Sequence, residues 1–382
     1  CRRDLHKNIP CIIQNLSSAL PITNQWTHQT HNAVRVINES WFLENIGSET
    51  SVPIRVNSDE FQGSGVADDK NDDEMIGGDR AVECQTTKLT MKQWISNRHT
   101  MNPTKYYLKD WHMQSLFQEK SLYVTPSIFK DVLNPFLLRN EGGDYRFVYW
   151  GCKGSWTAVH SDVLNSFSWS FNVCGRKKWT FYQGGDANRD GTSTQMLEVI
   201  QNQGEMMYVP SGWRHCVENL DETISVNHNW VMICALDRVF ECLESEIVAI
   251  EEELTQWGLM KDDNMKTSEL DRTREDMLRG CIGMDVSTYA VLIVECCTDS
   301  LLSLKMNVVD NIWEKWFDFA SSIRILGVLI ENVNDDKDEE KVVSINLRRR
   351  LISTLGNVLG CQVINLMEVL HAIGKRIMNN IT

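Results

Sequence analysis

The chain lacks several features that would decide its class at once. Its twelve cysteines form no CxxC pair, which argues against a zinc ribbon or a thioredoxin-like motif. Cys296 and Cys297 are adjacent and the others are scattered, so free thiols in a reducing compartment, cytosol or nucleus, are expected. No apolar stretch follows the opening Cys1-Arg2-Arg3-Asp4, so no secretory signal is read there. The absence of an initial Met is expected of a trimmed or incomplete chain. Apolar runs such as Tyr289 to Val294 are far too short to span a bilayer. Clustered positive charge is scarce too. The net charge is −14, and the basic run Arg348-Arg349-Arg350 falls in a helical pattern and reads as a solvated helix face. That balance argues against a general nucleic-acid-binding surface, which needs clustered cations.

What is present is ordinary globular material. The chain has 382 residues, 42% hydrophobic and 24% charged, enough for two or three units and a sizeable core. Asn38 to Asn45 reads as a short helix stopped at Gly47. Val52 to Val56 alternates like a strand, which Pro53 demotes to a sheet edge or a strand start. Residues 57–80 hold the acidic run Asp68 to Glu74 and read as a loop or disordered insert. Thr90-Met91-Lys92-Gln93 fits a capping box. Strands are predicted near Lys105 to His112, Arg146 to Trp150, Trp179 to Tyr182 and Met206 to Pro210. His215 to Asn219 and Thr223 to Val231 read as a hairpin around Leu220-Asp221-Glu222. Short strands at this spacing imply a sandwich or barrel. After Val231 the period changes. Leu236, Val239, Phe240, Leu243, Ile247, Ile250 and Leu254 mark one helix face, stopped near Gly258. Helical patterns also fill 269–282, 288–306, 310–332 and 341–379, with no chemistry in them.

The chemistry concentrates between Trp156 and Trp179. In a strand, residues i and i+2 point to one face, so His160 and Asp162 can aim at one point. With a second imidazole they make a two-His-one-carboxylate set, which leaves positions open on Fe(II). His215 is the best candidate for that imidazole, since it follows a strand and the turn Pro210-Ser211-Gly212-Trp213; His228 is the runner-up. HxD spacing alone is weak, arising by chance in about half of such chains. Lys177 and Lys178 add the cation that a carboxylate-bearing co-substrate needs at its far end. Trp156, Trp169, Trp179, Tyr149 and Trp213 are candidates for pocket walls or plain core packing.

The motifs then take on a family character. They are Tyr107-Leu108-Lys109-Asp110-Trp111-His112, Gly154-Ser155-Trp156-Thr157, His160-Ser161-Asp162, Ser166 to Ser170, Asn172 to Trp179, Val209 to Trp213 and Asn219 to Trp230. Together they resemble the jumonji-C (JmjC) branch of the cupin-fold 2-oxoglutarate oxygenases, strongly over 85–232 and weakly in the helical tail. The resemblance implies an α+β chain. Residues 1–235 would form a JmjC domain with a double-stranded β-helix, N-terminal helices and a catalytic core at 106–232. A helical region would fill 236–382. It implies Fe(II) held by His160, Asp162 and His215, with 2-oxoglutarate and O₂ as co-substrates. It puts Lys177, rather than Lys178, on the distal carboxylate of 2-oxoglutarate, with Thr157, Asn227 and Ser170 as further co-substrate contacts. It further implies a protein hydroxylase, acting on a lysine side chain of the translation-termination release factor and giving succinate and CO₂.

One departure from the family stands out. Only 22 residues separate Phe181 from Gly204, where a longer segment is expected, so barrel closure is at stake there. Two other readings compete with the hydroxylase: a catalytically silent JmjC scaffold that binds partners through its helical tail, and a histone lysine demethylase. The intact ligand set and Lys177 favour the hydroxylase. The lack of a reader zinc cluster and of a basic surface counts against the demethylase. No membrane or specific nucleic-acid partner is expected, and the oligomeric state is not encoded in any pattern here.

Overall fold

A computed structural model describes residues 8–16, 20, 22–30, 35–57, 85–117, 123–141, 143–183, 195–259 and 267–305, then 318, 320–321, 324–325, 347 and 350–355. Most of the acidic insert, and nearly all of the helical patterns at 310–332 and 341–379, lie outside the described residues. The chain divides into two compact units. One comprises residues 1–130 and 137–230; the other comprises 131–136 and 231–382.

The first unit is built on strands β1 (Cys11–Ile13), β2 (Thr27–Gln29), β3 (Arg35–Ile37), β4 (Ser51–Val56), β5 (Gln85–Thr90), β6 (Tyr106–Trp111) and β7 (Arg146–Gly151), followed by β8 (Trp156–His160), β9 (Phe167–Cys174), β10 (Lys177–Gln183), β11 (Gln195–Gln201), β12 (Met206–Val209), β13 (Arg214–Asn219) and β14 (Thr223–Trp230). The large sheet runs β1-β12-β9-β14-β7-β6-β4-β5, and the small one runs β11-β10-β13-β8. From β7 to β14 the chain alternates between the two sheets at nearly every step. That is the double-stranded β-helix, and all eight of its strands are present.

Its consequences correct two expectations. β13 and β14 are not a hairpin: β13 pairs with β10 and β8, while β14 pairs with β7 and β9. Leu220-Asp221-Glu222 is thus a turn between sheets, which resembles a hairpin turn at the level of residue type. The short stretch after Phe181 also suffices for closure. β11 pairs with β10 in unbroken register from Lys177↔Gln201 to Gln183↔Gln195. Buried Gln201 then ties the sheets together. It accepts from the Trp179 indole at 2.8 Å and donates to the carbonyls of Ser170 and Glu205 at 2.7 and 2.9 Å.

Gly175 makes the tight passage from β9 to β10. Its φ is +75°, and a Cβ there would stand 2.2 Å from the Glu222 carbonyl oxygen. Only glycine satisfies both demands, and the passage sets where Lys177 begins its strand.

β9 and β14 are buried along their whole length. Their register matches like with like. Phe167, Trp169 and Phe171 oppose Trp230, His228 and Val226, while Ser168, Ser170 and Asn172 oppose Asn229, Asn227 and Ser225. The apolar face is closed by aromatics, with Phe129 stacked on Trp169 at 5.9 Å. The polar face looks toward the small sheet and forms the interior of the barrel.

Around this core, the capping box is complete: Thr90 Oγ1 accepts from the Gln93 N–H, and the Gln93 side chain accepts from the Thr90 N–H. The helix read at Asn38 to Asn45 appears as Glu39–Phe42, capped by Asn38, and continues as a wider turn from Leu43 to Gly47. β4 is an interior strand, flanked by β5 and β6, rather than an edge. Pro53 is tolerated because the β6 ladder starts only at Ile54, so the missing N–H interrupts no bond on that side.

In the second unit, the helix Leu236–Gln256 buries Leu236, Val239, Phe240, Leu243, Ile247, Ile250 and Leu254, the face read from the sequence. Each such burial stabilises by about 1.5–3 kcal/mol. Thr267–Ile282 and Val286–Lys305 follow as helices. Tyr289 stacks on Phe240 at 5.9 Å and donates to the Leu236 carbonyl at 2.8 Å. Arg350 is ion-paired with Glu275 and only partly exposed, so this member of the basic run is not a freely solvated one. Among the described residues no single helix is long and apolar enough to cross a membrane.

Candidate active site

The small sheet brings two histidines face to face. β8 and β13 are antiparallel, and their register sets His160 opposite His215, with ring centroids 4.4 Å apart. The next pair is Val217↔Thr157, so β8 holds one extra residue at Ala158 to Val159. Such a bulge re-aims side chains and is favoured beside functional sites. Asp162 does not lie in the strand. β8 ends at His160, and Asp162 follows on extended backbone at φ −66°, ψ 144°. The extended turn continues the two-residue alternation, and ligand-type atoms of His160, Asp162 and His215 all come within 4.8 Å of one another.

Each member of this trio is held by a neighbour. Nδ1 of His160 is 2.8 Å from the Ala158 carbonyl, and Nδ1 of His215 is 3.1 Å from the Trp213 carbonyl. A carbonyl only accepts, so both Nδ1 atoms carry a proton, and Nε2 is the atom through which each ring would meet a metal. Asp162 accepts from Ser168 Oγ at 2.7 Å and from Asn229 Nδ2 at 2.9 Å, one bond to each carboxylate oxygen. Asn229 is steadied in turn by Ser166 at 3.1 Å. Burial, then the charges of His215 and Lys109, hold the His160 imidazole well below its ordinary range, so it stays neutral.

Lys177 opens β10 and is 1% exposed. Its ammonium donates to Ser225 Oγ at 2.6 Å and stands 5.8 Å from the Tyr149 ring centre. Burial, then Lys109, pushes it down to about 7. The adjacent Lys178 points the other way and is paired with Glu198 at 2.7 Å, so the two lysines part as strand alternation requires.

The remaining sequence candidates distribute along the barrel. Asn227 donates to Ser225 at 3.0 Å and so joins the Lys177 group. Ser170 lies opposite Asn227, 2% exposed, with an Oγ that has no hydrogen-bond partner among the described residues. Thr157 is half-buried opposite Val217 and is not drawn into these contacts. His228 is not brought to the site. It lies on the apolar face of β14 with its ring 5.0 Å from Trp169. Of the candidate wall aromatics, Tyr149 borders the lysine group, while Trp169 and Trp179 are core.

Sequence reasoning missed Ser168, Asn229, Ser225 and Lys109. A signal for the first three exists: Ser and Asn alternate with large apolar residues in Phe167 to Asn172 and Ile224 to Trp230, in strands too apolar to face water.

A second group, His99, Cys152 and Glu222, also brings ligand-type atoms together. Its carboxylate is already engaged by Arg98 Nε at 2.7 Å and the Trp150 indole at 3.0 Å.

Comparison with known proteins places this geometry. The profile of a family described as "JmjC domain, hydroxylase" matches residues 189–230, a stretch that includes His215. A Drosophila melanogaster protein named 2-oxoglutarate and iron-dependent oxygenase JMJD4 homolog is 31% identical over 319 residues, covering 76% of this chain and 73% of that protein. The chain belongs to the JmjC family of 2-oxoglutarate and iron-dependent oxygenases. Another JmjC relative, 2-oxoglutarate and iron-dependent oxygenase JMJD4 of Danio rerio, is 40% identical over 225 residues, 52% of each chain. Arginine-specific demethylase JMJ20 of Arabidopsis thaliana is 31% identical over 291 residues, 66% of this chain and 58% of that one. The aligned part spans about half the length of the vertebrate JmjC relatives. Iron and 2-oxoglutarate, with O₂, are the cofactor and co-substrates that this family's names carry.

Proposed function

We propose that this chain is an Fe(II)- and 2-oxoglutarate-dependent protein hydroxylase whose target is a lysine side chain, with the translation-termination release factor as the substrate the family resemblance suggests. One observation carries the reading. Two imidazoles held through Nδ1 and one doubly held carboxylate converge within 4.8 Å, in the same barrel as a buried lysine that has no carboxylate partner among the described residues.

The donor set fits the metal. Two neutral nitrogen ligands and one carboxylate suit Fe(II) and leave positions for a chelating keto acid and O₂. His160, Asp162 and His215 would hold the iron, and Lys177 would meet the far carboxylate of 2-oxoglutarate, with Asn227, Ser170 and Thr157 near it. When bound, the iron and its co-substrate supply the oxidising chemistry: O₂ and 2-oxoglutarate become succinate and CO₂ as one oxygen atom enters the substrate C–H bond.

The residues of the chain do the rest. The carbonyls of Ala158 and Trp213 orient both imidazoles through Nδ1, which turns Nε2 of each toward the metal position. Ser168 and Asn229 fix the plane of the Asp162 carboxylate. Ser225 and the Tyr149 ring hold the Lys177 ammonium inside the barrel, ready for an anion. The buried walls of β9 and β14 keep bulk water from this column. Free thiols suit a chain that works in the reducing cytosol or nucleus.

The kinship with a relative named arginine-specific demethylase favours a second reading, hydroxylation of an N-methyl carbon followed by loss of formaldehyde. Mass spectrometry of lysine and methylarginine peptides turned over with Fe(II), 2-oxoglutarate and O₂ separates the two. Gain of one oxygen on lysine supports the hydroxylase, and loss of a methyl from arginine replaces it with the demethylase. Absence of either product, with succinate also absent, leaves the silent scaffold.

A further inference from the structure

The β6 strand is irregular where it passes the site. Its register with β7 slips between Leu108 and Trp111, and Asp110 takes a left-handed backbone at φ 58°. A non-glycine residue rarely takes that region and persists there where surrounding contacts enforce it. Here the contacts are visible. Asp110 accepts from the Tyr149 hydroxyl at 3.0 Å and faces Arg55 at 3.3 Å.

The slip has a consequence for Lys109. Tyr107, two residues earlier, packs edge-on against Tyr149 at 6.1 Å, and the Lys109 ammonium stands 5.5 Å from the centre of the same ring. Lys177 stands 5.8 Å from it. Two ammonium groups therefore converge on one half-buried aromatic ring, Lys177 buried and Lys109 partly exposed. Neither has a carboxylate within ion-pair distance among the described residues; Asp110, the nearest in sequence, is turned to Tyr149 and Arg55. Two like charges gathered at one ring, with no counter-ion among the described residues, repel each other, and the buried Lys177 also loses hydration. A bound dianion would relieve both costs. The charge of Lys109 also reaches Lys177 and His160.

Resting on the site reading above, we infer that Lys109 is a second co-substrate-positioning residue, which with Lys177 forms an ammonium pair that holds 2-oxoglutarate as a dianion. Tyr149 is the shared platform of the pair, and the Asp110–Arg55 link sets the backbone that delivers Lys109 to it.

The test is calorimetric titration of 2-oxoglutarate into the full chain loaded with Mn(II), which binds without turnover. Lys109→Met should weaken 2-oxoglutarate by about tenfold, the size of one charge-assisted contact, with Mn(II) affinity unchanged. Lys109→Arg, which keeps the charge, should bind within about threefold of the wild type. In turnover, the Met variant should show a raised KM for 2-oxoglutarate, with kcat at saturation kept within about twofold, which a merely structural role would not produce. Wild-type affinity in the Met variant would overturn the inference, and so would an Arg variant as weak as the Met one. If the wild-type chain itself takes up Mn(II) but no 2-oxoglutarate, the site reading beneath it falls as well, and the two failures are told apart by that control.

Discussion

His160, Asp162 and His215 form one cluster of metal-type side chains in the β unit, and His99, Cys152 and Glu222 form another; each brings its atoms within 4.8 Å. They differ in what surrounds the atoms. In the first, both histidines spend Nδ1 on carbonyls, and the carboxylate receives only neutral donors. In the second, the carboxylate is already neutralised by the buried Arg98 guanidinium, which also pairs with Glu39. Burial, then the charge of Glu222, pushes the Cys152 thiol up to about 11, so it stays protonated and a poor ligand. Proximity of ligand types is thus not enough. A metal centre also needs negative charge not yet answered, which Arg98 removes at Glu222.

The largest expected effect breaks the first cluster. Asp162→Ala should lower Mn(II) or Fe(II) affinity by more than a hundredfold and abolish turnover, while Cys152→Ser leaves one metal per chain, as read by metal analysis after gel filtration. The second cluster should answer to stability instead. Arg98→Met strands Glu222 and Glu39 and should cost about 3 kcal/mol in urea unfolding, with metal stoichiometry unchanged. Next in size is Asn229→Ala, which removes one donor from Asp162. Metal affinity should fall about tenfold with the fold intact; an unchanged affinity would show that the carboxylate needs no such holding.

Lys177 gives a smaller and opposite signature. Its folded value, about 7, lies below the ordinary 10.5. Between these the unfolded chain binds the extra proton, so stability without co-substrate rises as pH climbs from about 7 toward 10.5 and is lowest below about 7. Lys177→Met should flatten that rise in thermal melts, raise the melting temperature by a few degrees near pH 7, and forfeit 2-oxoglutarate binding. The smallest effect is that of Ser170→Ala, which removes a hydroxyl with no partner among the described residues. The melting temperature should stay level, and 2-oxoglutarate affinity should move only a few-fold.

Local signals were legible in the sequence, and long-range ones much less so. Seven apolar residues at helical spacing marked a helix face that is buried throughout, because periodicity and burial share one cause. The capping box at Thr90 needs only four residues to be read. The turn at Leu220 to Glu222 was misread, since a turn within a sheet and one between sheets use the same residue types. β11 was overlooked because Met196, Leu197 and Ile200 are exposed and give no clean alternation. At the site, His160, Asp162 and Lys177 could be picked out by residue type and by family resemblance. The residues that hold them, Ser168, Asn229 and Ser225, could not, because their roles arise from pairing between β9, β14 and β10. Lys109 depends on a bulge, which no local pattern announces.

The most direct test of the metal and co-substrate assignment is anaerobic titration of Fe(II) into the chain with 2-oxoglutarate present, following the metal-to-ligand charge-transfer absorption. In the wild type the band should saturate at one iron per chain; it should be absent in His160→Ala and persist in His99→Gln. A well-folded wild-type chain with no band, or a band lost in His99→Gln and kept in His160→Ala, would contradict it.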